Sequence, residues 1–246
     1  MITVYIGWDP RDDLAWDVCA RSLMKHTTIP IRIVKLTESL ARKKGAYWRG
    51  YHVEQDGQMW DGRDGKPFST QFSFTRFAVP ILENYDSDIA VFMDADMMWR
   101  ADIGELVSLC DEAPDKAIYC VQHDHRPPEG KKMDGVLQTR YLRKNWSSMM
   151  VFRPYLNKGL TRFALNNWRG GDLHAMTWLD DDEIGALPEE WNWLCGWSSP
   201  DIDPKIVHFT RGTPDMEGHE NEEYAGEWRD YAKTTAVRSE IRYHPG

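Results

Sequence analysis

Two aspartates interrupt the apolar segment "AVFMDADMMW" (residues 90–99), and they are the first candidates for chemistry in this chain. Asp94 and Asp96 follow an apolar run that predicts a buried strand, and side chains two positions apart on a strand point to the same face. Two carboxylates placed so close together repel each other unless a positive charge lies between them. Mg²⁺ or Mn²⁺ bound through one or two carboxylates plus phosphate oxygens would supply that charge. The pair therefore predicts a divalent metal site, with two solvated loop acids as the alternative.

A helix–loop–helix calcium site is a rival interpretation of the same residues. With Asp94 as the first position of such a loop, Asp96 and Asp102 both fall on positions that carry ligands. Met98, however, occupies another ligand position, and Trp99 replaces the glycine that makes the sharp turn. A buried strand rather than a helix also precedes the loop, so the calcium interpretation fails.

Three further features carry polar groups that could take part in chemistry, and for His208 a metal role is one possibility. The segment "WLDDDEIGALPEEWNW" places Asp180, Asp181 and Asp182 in one run, for which a solvated helix start is the ordinary explanation. His208 follows an apolar strand segment, where a single histidine is more often structural than a ligand. Arg76 is the basic residue of an otherwise apolar predicted helix, and an exposed position would explain it equally well.

The elements that must position these residues predict an α/β fold. Residues 2–7 form a β-rich apolar run that ends at Gly7, an amphipathic helix follows over residues 12–26, and residues 29–36 alternate as a second strand. Such a unit implies a parallel sheet with helices outside, whose ligands bind beyond the carboxyl ends of the strands. That rule directs attention to residues 7–13.

The rest of the chain continues the strand and helix pattern. Residues 43–70 have no period and predict a long surface loop, and a helix that bends or ends near Pro80 is predicted over residues 70–85. Asp102 is the predicted N-cap of a short helix, because its side-chain oxygen can accept the free N–H groups of the first turn. Further predicted elements are strands at 88–94, 116–122, 147–154 and 205–210, a helix at 160–168 and a polar loop at 123–146.

From about residue 213 the pattern is lost, which predicts a small helical annex or a partly disordered tail. We therefore expect a main domain over residues 1–212 and an annex over 213–246.

The composition narrows the class of protein. With 41% hydrophobic and 28% charged residues among 246, the chain is typical of a globular protein. A net charge of -9 argues against a nucleic-acid surface, which needs a basic stripe to neutralise phosphates. No apolar run approaches the roughly 20 residues of a transmembrane helix, and the N-terminal residues do not resemble a signal peptide. Four cysteines without a CxxC pair indicate reduced thiols and hence a cytoplasmic protein.

Five segments appear in an order that is similar to a known family: "VYIGWD", "FTRFAVPILENYDSDIAVFMDADMM", "NWSSMMVFRP", "DDDEIGALPEEWN" and "IVHFTRG". Together they span roughly residues 2–212. The chain resembles the nucleotide-sugar glycosyltransferases of the GT-A fold, and within them glycosyltransferase family eight, which includes glycogenin and bacterial lipopolysaccharide galactosyltransferases. The resemblance implies a GT-A type, Rossmann-like mixed sheet, mainly parallel and flanked by helices. It also implies a retaining, metal-dependent transfer of a hexose from a nucleotide sugar, UDP-hexose in particular, to a saccharide or other hydroxyl acceptor.

The family's residue roles carry over as implications of the resemblance. The ligands of Mn²⁺ or Mg²⁺ would be Asp94, Asp96 and His208. The residues that contact the nucleotide sugar would be Gly7, Trp8, Asp9, Arg76, Asp94, Ala95, Asp180 and Arg211. The catalytic residues would be Asp181, Asp182 and Arg76.

Two departures from the family pattern affect these roles. Asp181 stands where the family usually has glutamine, and a carboxylate is the better nucleophile and stabilises positive charge better than an amide. After His208 the family has a glycine followed by Lys-Pro-Trp, whereas this chain has "HFTRGTPD" without a lysine, so Arg211 is the candidate to contact the diphosphate.

Two other functions remain as alternatives. A sugar nucleotidyltransferase also combines an α/β sheet, a divalent cation and acids, but it usually opens with a glycine-rich phosphate loop, and "IGWDPRD" has one glycine. The second is a non-catalytic relative that binds a nucleotide sugar or a carbohydrate without turnover.

Overall fold

A computed structural model gives the structure of residues 1–124, 143 and 145–233. Its strands are β1 (Ile2–Gly7), β2 (Ile31–Leu36), β3 (Tyr51–Val53), β4 (Met59–Asp61), β5 (Pro67–Phe68), β6 (Ala90–Met93), β7 (Met97–Trp99), β8 (Ile118–Val121), β9 (Met149–Phe152), β10 (Ile184–Leu187), β11 (Trp193–Leu194) and β12 (Ile206–His208). Its α-helices are α1 (Asp13–His26), α2 (Glu38–Lys43), α3 (Phe72–Thr75), α4 (Val79–Leu82), α5 (Ile103–Asp111), α6 (Arg162–Asn167), α7 (Gly170–His174) and α8 (Ala225–Lys233).

A six-stranded sheet in the order β10-β8-β9-β6-β1-β2 forms the centre of the fold. β9 is antiparallel to both of its neighbours, and the other pairs in the sheet are parallel. β6 is buried along its whole length, as its uninterrupted apolar sequence predicts for a central strand. The predicted fold class, a mixed and mainly parallel sheet flanked by helices, is confirmed.

Helices cover both faces of this sheet. On one face, Val4 and Ile6 of β1 share an apolar core with Trp16 of α1 and Leu106 of α5. On the other face, the alternate residue Tyr5 lies in a second core that includes residues of α2, α3, α4 and α6. The period-two pattern of β1 therefore supplies both cores, which fixes the ends of the central strands between two packed layers.

Two smaller sheets extend the structure. β11, β12 and β7 form one of them, in which β12 runs antiparallel to β7 and pairs His208 with Met97. β3, β4 and β5 form an antiparallel sheet within residues 43–70, where the sequence predicted a loop. Its strands are two or three residues long, too short to show a period. The predicted helix over residues 70–85 is divided into α3, a 3₁₀ turn (Arg76–Ala78) and α4.

The segment after residue 213 contains α8, which packs against α1. Arg21 of α1 donates to the carbonyl oxygen of Tyr231 at 2.9 Å, and the Tyr231 hydroxyl lies 3.1 Å from Nε2 of His26. This segment therefore contains a helix, and an annex over residues 213–246 remains a prediction. Residues 234–246 and most of the predicted loop at 123–146 lie outside the described residues. Among the residues described, no helix has the length and apolar character needed to span a membrane.

Candidate metal centre

Asp94 and Asp96 lie in the tight turn between β6 and β7. The strand ends at Met93, so the turn rather than a shared strand face brings the two carboxylates together. Backbone hydrogen bonds fix both ends of the turn: the N–H of Asp94 donates to the carbonyl of Ser148 at 2.8 Å, and the N–H of Phe209 donates to the carbonyl of Asp96 at 2.9 Å. Ala95, between them, is buried.

His208 completes the cluster from the end of β12. One ligand atom from each of Asp94, Asp96 and His208 can be chosen so that all three lie within 4.8 Å of one another. Nε2 of His208 is 3.3 Å from Oδ1 of Asp96. The structure therefore brings together the three residues that the sequence assigned to the metal, at the carboxyl end of β6 where ligands of such sheets bind.

The donor set suits a divalent cation. Nδ1 of His208 donates to Oδ1 of Asn192 at 2.8 Å, so Nε2, on the side of Asp96, is the ring nitrogen that could bind a cation. Two acceptors facing each other at this distance require a cation or a proton between them. Two carboxylates and one imidazole match the ligand preferences of Mn²⁺ and can also bind Mg²⁺, so the residues fit the expected metal.

Arg76 lies directly behind Asp94 and is buried. Its NH2 is 3.1 Å from Oδ1 of Asp94, its NH1 donates to the carbonyl of Ser147 at 2.8 Å, and its Nε contacts the carbonyl of Phe72 at 3.3 Å. The carbon of the guanidinium also lies 5.5 Å from the centre of the Phe72 ring and 5.2 Å from that of the Phe92 ring. The alternative that Arg76 is exposed is therefore wrong, and its side chain holds Asp94 in place.

The residues after β1 occupy the carboxyl edge of the sheet beside the cluster. A Cβ on Gly7 would lie 2.6 Å from Cγ of Phe72, so only glycine fits where β1 meets α3. The Trp8 indole N–H donates to Asp13 at 2.8 Å, and the ammonium of Lys35 lies 4.8 Å from the centre of its ring. Trp8 is therefore held with its ring fixed, next to the end of β1.

Asp9 is buried and accepts hydrogen bonds from within the chain. Its carboxylate accepts from the backbone and the guanidinium of Arg11 and from the N–H of Gln71 at 3.0 Å. Burial raises the pKa of Asp9, but these hydrogen bonds outweigh it, so the pKa lies below its usual value. The carboxylate is thus ionised and joins the loop after β1 to the start of α3.

Arg211 follows β12 and forms an ion pair with Glu222 at 2.6 Å. Gly196, which adopts a positive φ of 73°, leaves room for its guanidinium, since a Cβ there would lie 2.4 Å from it. Burial raises the pKa of Glu222, but hydrogen bonds from Arg211, His219 and Cys195 lower it below its usual value. In this arrangement the charge of Arg211 is directed to Glu222.

The acid run lies at the opposite edge of the sheet from the metal ligands. Asp180, Asp181 and Asp182 are exposed and precede β10, whose first residue Ile184 is level with Ile118 of β8. The register continues from Ile118 through β9 to Ala90, the first residue of β6. Asp94 follows the last residue of β6, so it lies at the other end of these strands. Arg143 forms an ion pair with Asp181. The expected grouping of these acids with the cluster is wrong, because a run that precedes a parallel strand lies at its amino end.

Two residues that support the cluster had no role assigned to them from the sequence. Asn192 and Ser148 are buried, and the amide of Asn192 donates to the Ser148 hydroxyl at 2.9 Å while its oxygen accepts from His208. Asn192 stands between Trp191 and Trp193, and a polar residue flanked by two tryptophans is a signal that could have indicated it.

No family model matches the chain. Protein CDI of Arabidopsis thaliana is 42% identical over 232 residues, which cover 92% of this chain and 83% of that protein. The chain belongs to the family of Protein CDI.

Comparison with solved structures identifies the fold. The bifunctional glycosyltransferase WbbM is 17% identical with a TM-score of 0.59, over 98% of this chain and 51% of that one. The glycosyltransferase GlyE of Streptococcus pneumoniae TIGR4 is 15% identical with a TM-score of 0.57, over 94% and 60%. The galactosyltransferase LgtC is 12% identical with a TM-score of 0.53, over 98% and 99%. The chain therefore spans about half to three fifths of WbbM and GlyE, and nearly all of LgtC, and this member of the CDI family has a GT-A-like fold.

Proposed function

We propose that this protein is a divalent-metal-dependent glycosyltransferase that moves a hexose from a nucleotide sugar, UDP-hexose in particular, to a hydroxyl group of a saccharide or other acceptor. The observation that carries the proposal is the Asp94–Asp96–His208 cluster at the carboxyl edge of a GT-A-like sheet. LgtC, which has the same fold, was solved with donor and acceptor sugar analogues, and this supports a nucleotide sugar as the ligand. Membership of glycosyltransferase family eight is part of the proposal.

The chemistry of the transfer accounts for the cluster. The bond between the anomeric carbon and a diphosphate oxygen breaks, the acceptor oxygen bonds to that carbon, and the acceptor proton leaves with the diphosphate. When bound, Mn²⁺ or Mg²⁺ would act as a Lewis acid that stabilises the charge on the leaving diphosphate. Asp94, Asp96 and His208 would hold the cation, and Arg76 would keep Asp94 in position.

The donor nucleoside is proposed to bind beside Gly7, Trp8 and Asp9, at the end of β1. Arg211 would reach the diphosphate only by leaving Glu222, from which its NH2 is 2.6 Å away. Transfer with retention is proposed through attack on the face that the diphosphate leaves, because the position of Asp181 at the other edge of the sheet gives no support for that residue as a nucleophile.

Release of the nucleotide (UDP, GDP or CMP) from a panel of UDP-, GDP- and CMP-sugars, with and without Mn²⁺, tests the proposal. We expect Asp94→Asn and Asp96→Asn each to lower turnover by about 100-fold or more, since metal stabilisation of the transition state contributes several kcal/mol. Asp201→Asn, at an exposed aspartate, is the matched control and should retain turnover.

Two results would contradict the proposal. Unchanged turnover in both Asp94→Asn and Asp96→Asn would exclude the metal role of the cluster. A nucleotide sugar that raises the melting temperature of the native protein but is never cleaved would identify a non-catalytic binding protein.

A further inference from the structure

A chain of buried hydrogen bonds links the imidazole of the cluster to the turn that carries its first carboxylate. The Ser148 hydroxyl donates to the carbonyl of Asn145 at 2.6 Å, and the Asn192 amide donates to that hydroxyl at 2.9 Å. Oδ1 of Asn192 then accepts from Nδ1 of His208 at 2.8 Å. The backbone carbonyl of Ser148 accepts from the N–H of Asp94 at 2.8 Å, so these hydrogen bonds connect His208 with Asp94.

The order of donors and acceptors in this series of hydrogen bonds determines which ring nitrogen of His208 carries the hydrogen. Because the Ser148 hydroxyl gives its hydrogen to the Asn145 carbonyl, the side of Asn192 that faces it must be the NH₂ group. The oxygen of Asn192 must then face His208, and Nδ1 must carry the ring hydrogen. Nε2 is left with a lone pair directed at Asp96, which is the form of the ring that binds a metal.

The three side chains that form this arrangement are buried. Asn192 is 0% exposed, and Ser148 and His208 are each 3% exposed, so water has little access to substitute for a lost partner. A ring without an acceptor at Nδ1 would be free to place its hydrogen on Nε2, where it would face Asp96 and compete with a cation.

We propose that Asn192 is a positioning residue of the metal centre, which holds His208 in the Nδ1–H tautomer and ties it through Ser148 to the turn of Asp94. This inference rests on the proposed metal-dependent function, and it assigns the residue that makes the imidazole a ligand. Loss of a hydrogen-bond partner of this kind typically weakens metal binding by about 10- to 100-fold.

The test measures Mn²⁺ binding directly, from the loss of the electron paramagnetic resonance signal of free Mn²⁺ on titration with metal-free protein. We expect Asn192→Leu, whose side chain branches at the same position but carries no acceptor, to weaken Mn²⁺ binding by about 10- to 100-fold. Asn192→Asp keeps an acceptor for Nδ1–H and should bind Mn²⁺ within a few-fold of the original protein. Asn157→Leu is the matched control: Asn157 is also 0% exposed, but it donates to the carbonyl of Ala117 at the opposite edge of the sheet.

The tautomer gives a second measurement that a purely structural role would not change. In ¹⁵N-histidine-labelled protein saturated with Mg²⁺, a diamagnetic cation, the nitrogen resonances of His208 at pH 8 should indicate a hydrogen on Nδ1 and none on Nε2. Asn192→Leu should move that hydrogen to Nε2 in part or in full, and Asn157→Leu should not. The His208 signals are assigned by their loss in His208→Gln.

The outcomes separate this inference from the proposed function. Failure of the unaltered protein to bind Mn²⁺ overturns the metal centre itself. Mn²⁺ binding by the unaltered protein together with equal binding by Asn192→Leu, or a hydrogen on Nε2 and none on Nδ1 in the Mg²⁺-saturated unaltered protein, overturns the role of Asn192 alone. If Asn192→Leu does not fold, Ser148→Ala takes its place, because it removes the group that orients the amide; unchanged Mn²⁺ affinity in that variant also overturns the role.

Discussion

At the scale of single residues, Asp94 is shared between a guanidinium and the candidate metal centre. The buried guanidinium of Arg76 neutralises the carboxylate from behind, 3.1 Å away, and the cluster with Asp96 and His208 lies on its other side. Removing one partner of a buried ion pair is costly because the other charge stays buried and uncompensated. Arg76 therefore contributes both to folding and to the alignment of a ligand.

Replacement of Arg76 by methionine tests this double role. We expect Arg76→Met to destabilise the protein by about 3–5 kcal/mol, which for a chain of this size lowers the melting temperature by roughly 6–15 °C. Saturating Mn²⁺ should raise the melting temperature of Arg76→Met more than that of the original protein, because the cation compensates the charge left on Asp94. Arg76→Lys keeps that charge and serves as the control. A Mn²⁺ shift in Arg76→Met no larger than in the original protein would contradict this account.

The residues of the site differed in how far their types and spacing could reveal them. The pair of Asp94 and Asp96 was predictable because a D-x-D after a buried strand has a local pattern. Asn192 was not predictable, because its role depends on His208, which β12 places opposite to it. The placement of Asp181 was wrong although the sequence held the correction: the apolar run "IGAL" follows the acids, so they lie at the start of a strand and away from the binding edge.

At the scale of elements, the strands with an apolar pattern in the sequence and the helix α1 were predictable, whereas β3, β4 and β5 were not. β1 and β6 have complete apolar patterns and were predicted to within two residues of their observed ends. β3, β4 and β5 contain two or three residues each. Arg49 forms a buried ion pair with Asp61 of β4 at 2.5 Å and donates to the carbonyls of Leu165 and Trp168, which joins this small sheet to the rest of the fold. A tertiary contact of this kind leaves no periodic signal in the sequence.

The contact between β1 and α3 is the element-scale feature that sets the position of the cluster. Gly7 allows β1 to approach Phe72, whose carbonyl accepts from Arg76, which in turn holds Asp94. We expect Gly7→Ala to destabilise the protein by about 1–3 kcal/mol, because the added Cβ would lie 2.6 Å from the Phe72 ring. Chemical denaturation followed by tryptophan fluorescence measures the change.

Gly226→Ala provides the matched control for this substitution. Gly226 lies in α8 with no atom within 4 Å of an added Cβ, so alanine should stabilise the helix by up to about 1 kcal/mol. Equal effects of the two substitutions, or a stabilising effect of Gly7→Ala, would show that the approach of β1 to Phe72 does not constrain the fold.

At the scale of the whole molecule, the segment after residue 213 shares a core with the rest of the chain. Trp228 of α8 is 2% exposed and lies in an apolar cluster with Val18 of α1, Met98 of β7 and Phe209. Met98 and Phe209 lie close in sequence to Asp96 and His208, so this apolar core supports the metal centre from the side of α8. The division of the chain at residue 212 remains a prediction, and these contacts imply that the two parts unfold together.

Truncation of Trp228 tests that implication. We expect Trp228→Ala to cost about 3–5 kcal/mol and to lower the melting temperature of the entire protein by roughly 6–15 °C in one transition, because the cavity opens inside a core shared by α1, β7 and α8. Trp197→Ala, at a tryptophan 49% exposed, should change it far less. Differential scanning calorimetry distinguishes the possibilities. A second transition at lower temperature, with the main transition unmoved, would mean that the annex folds as a unit of its own and does not support the metal centre.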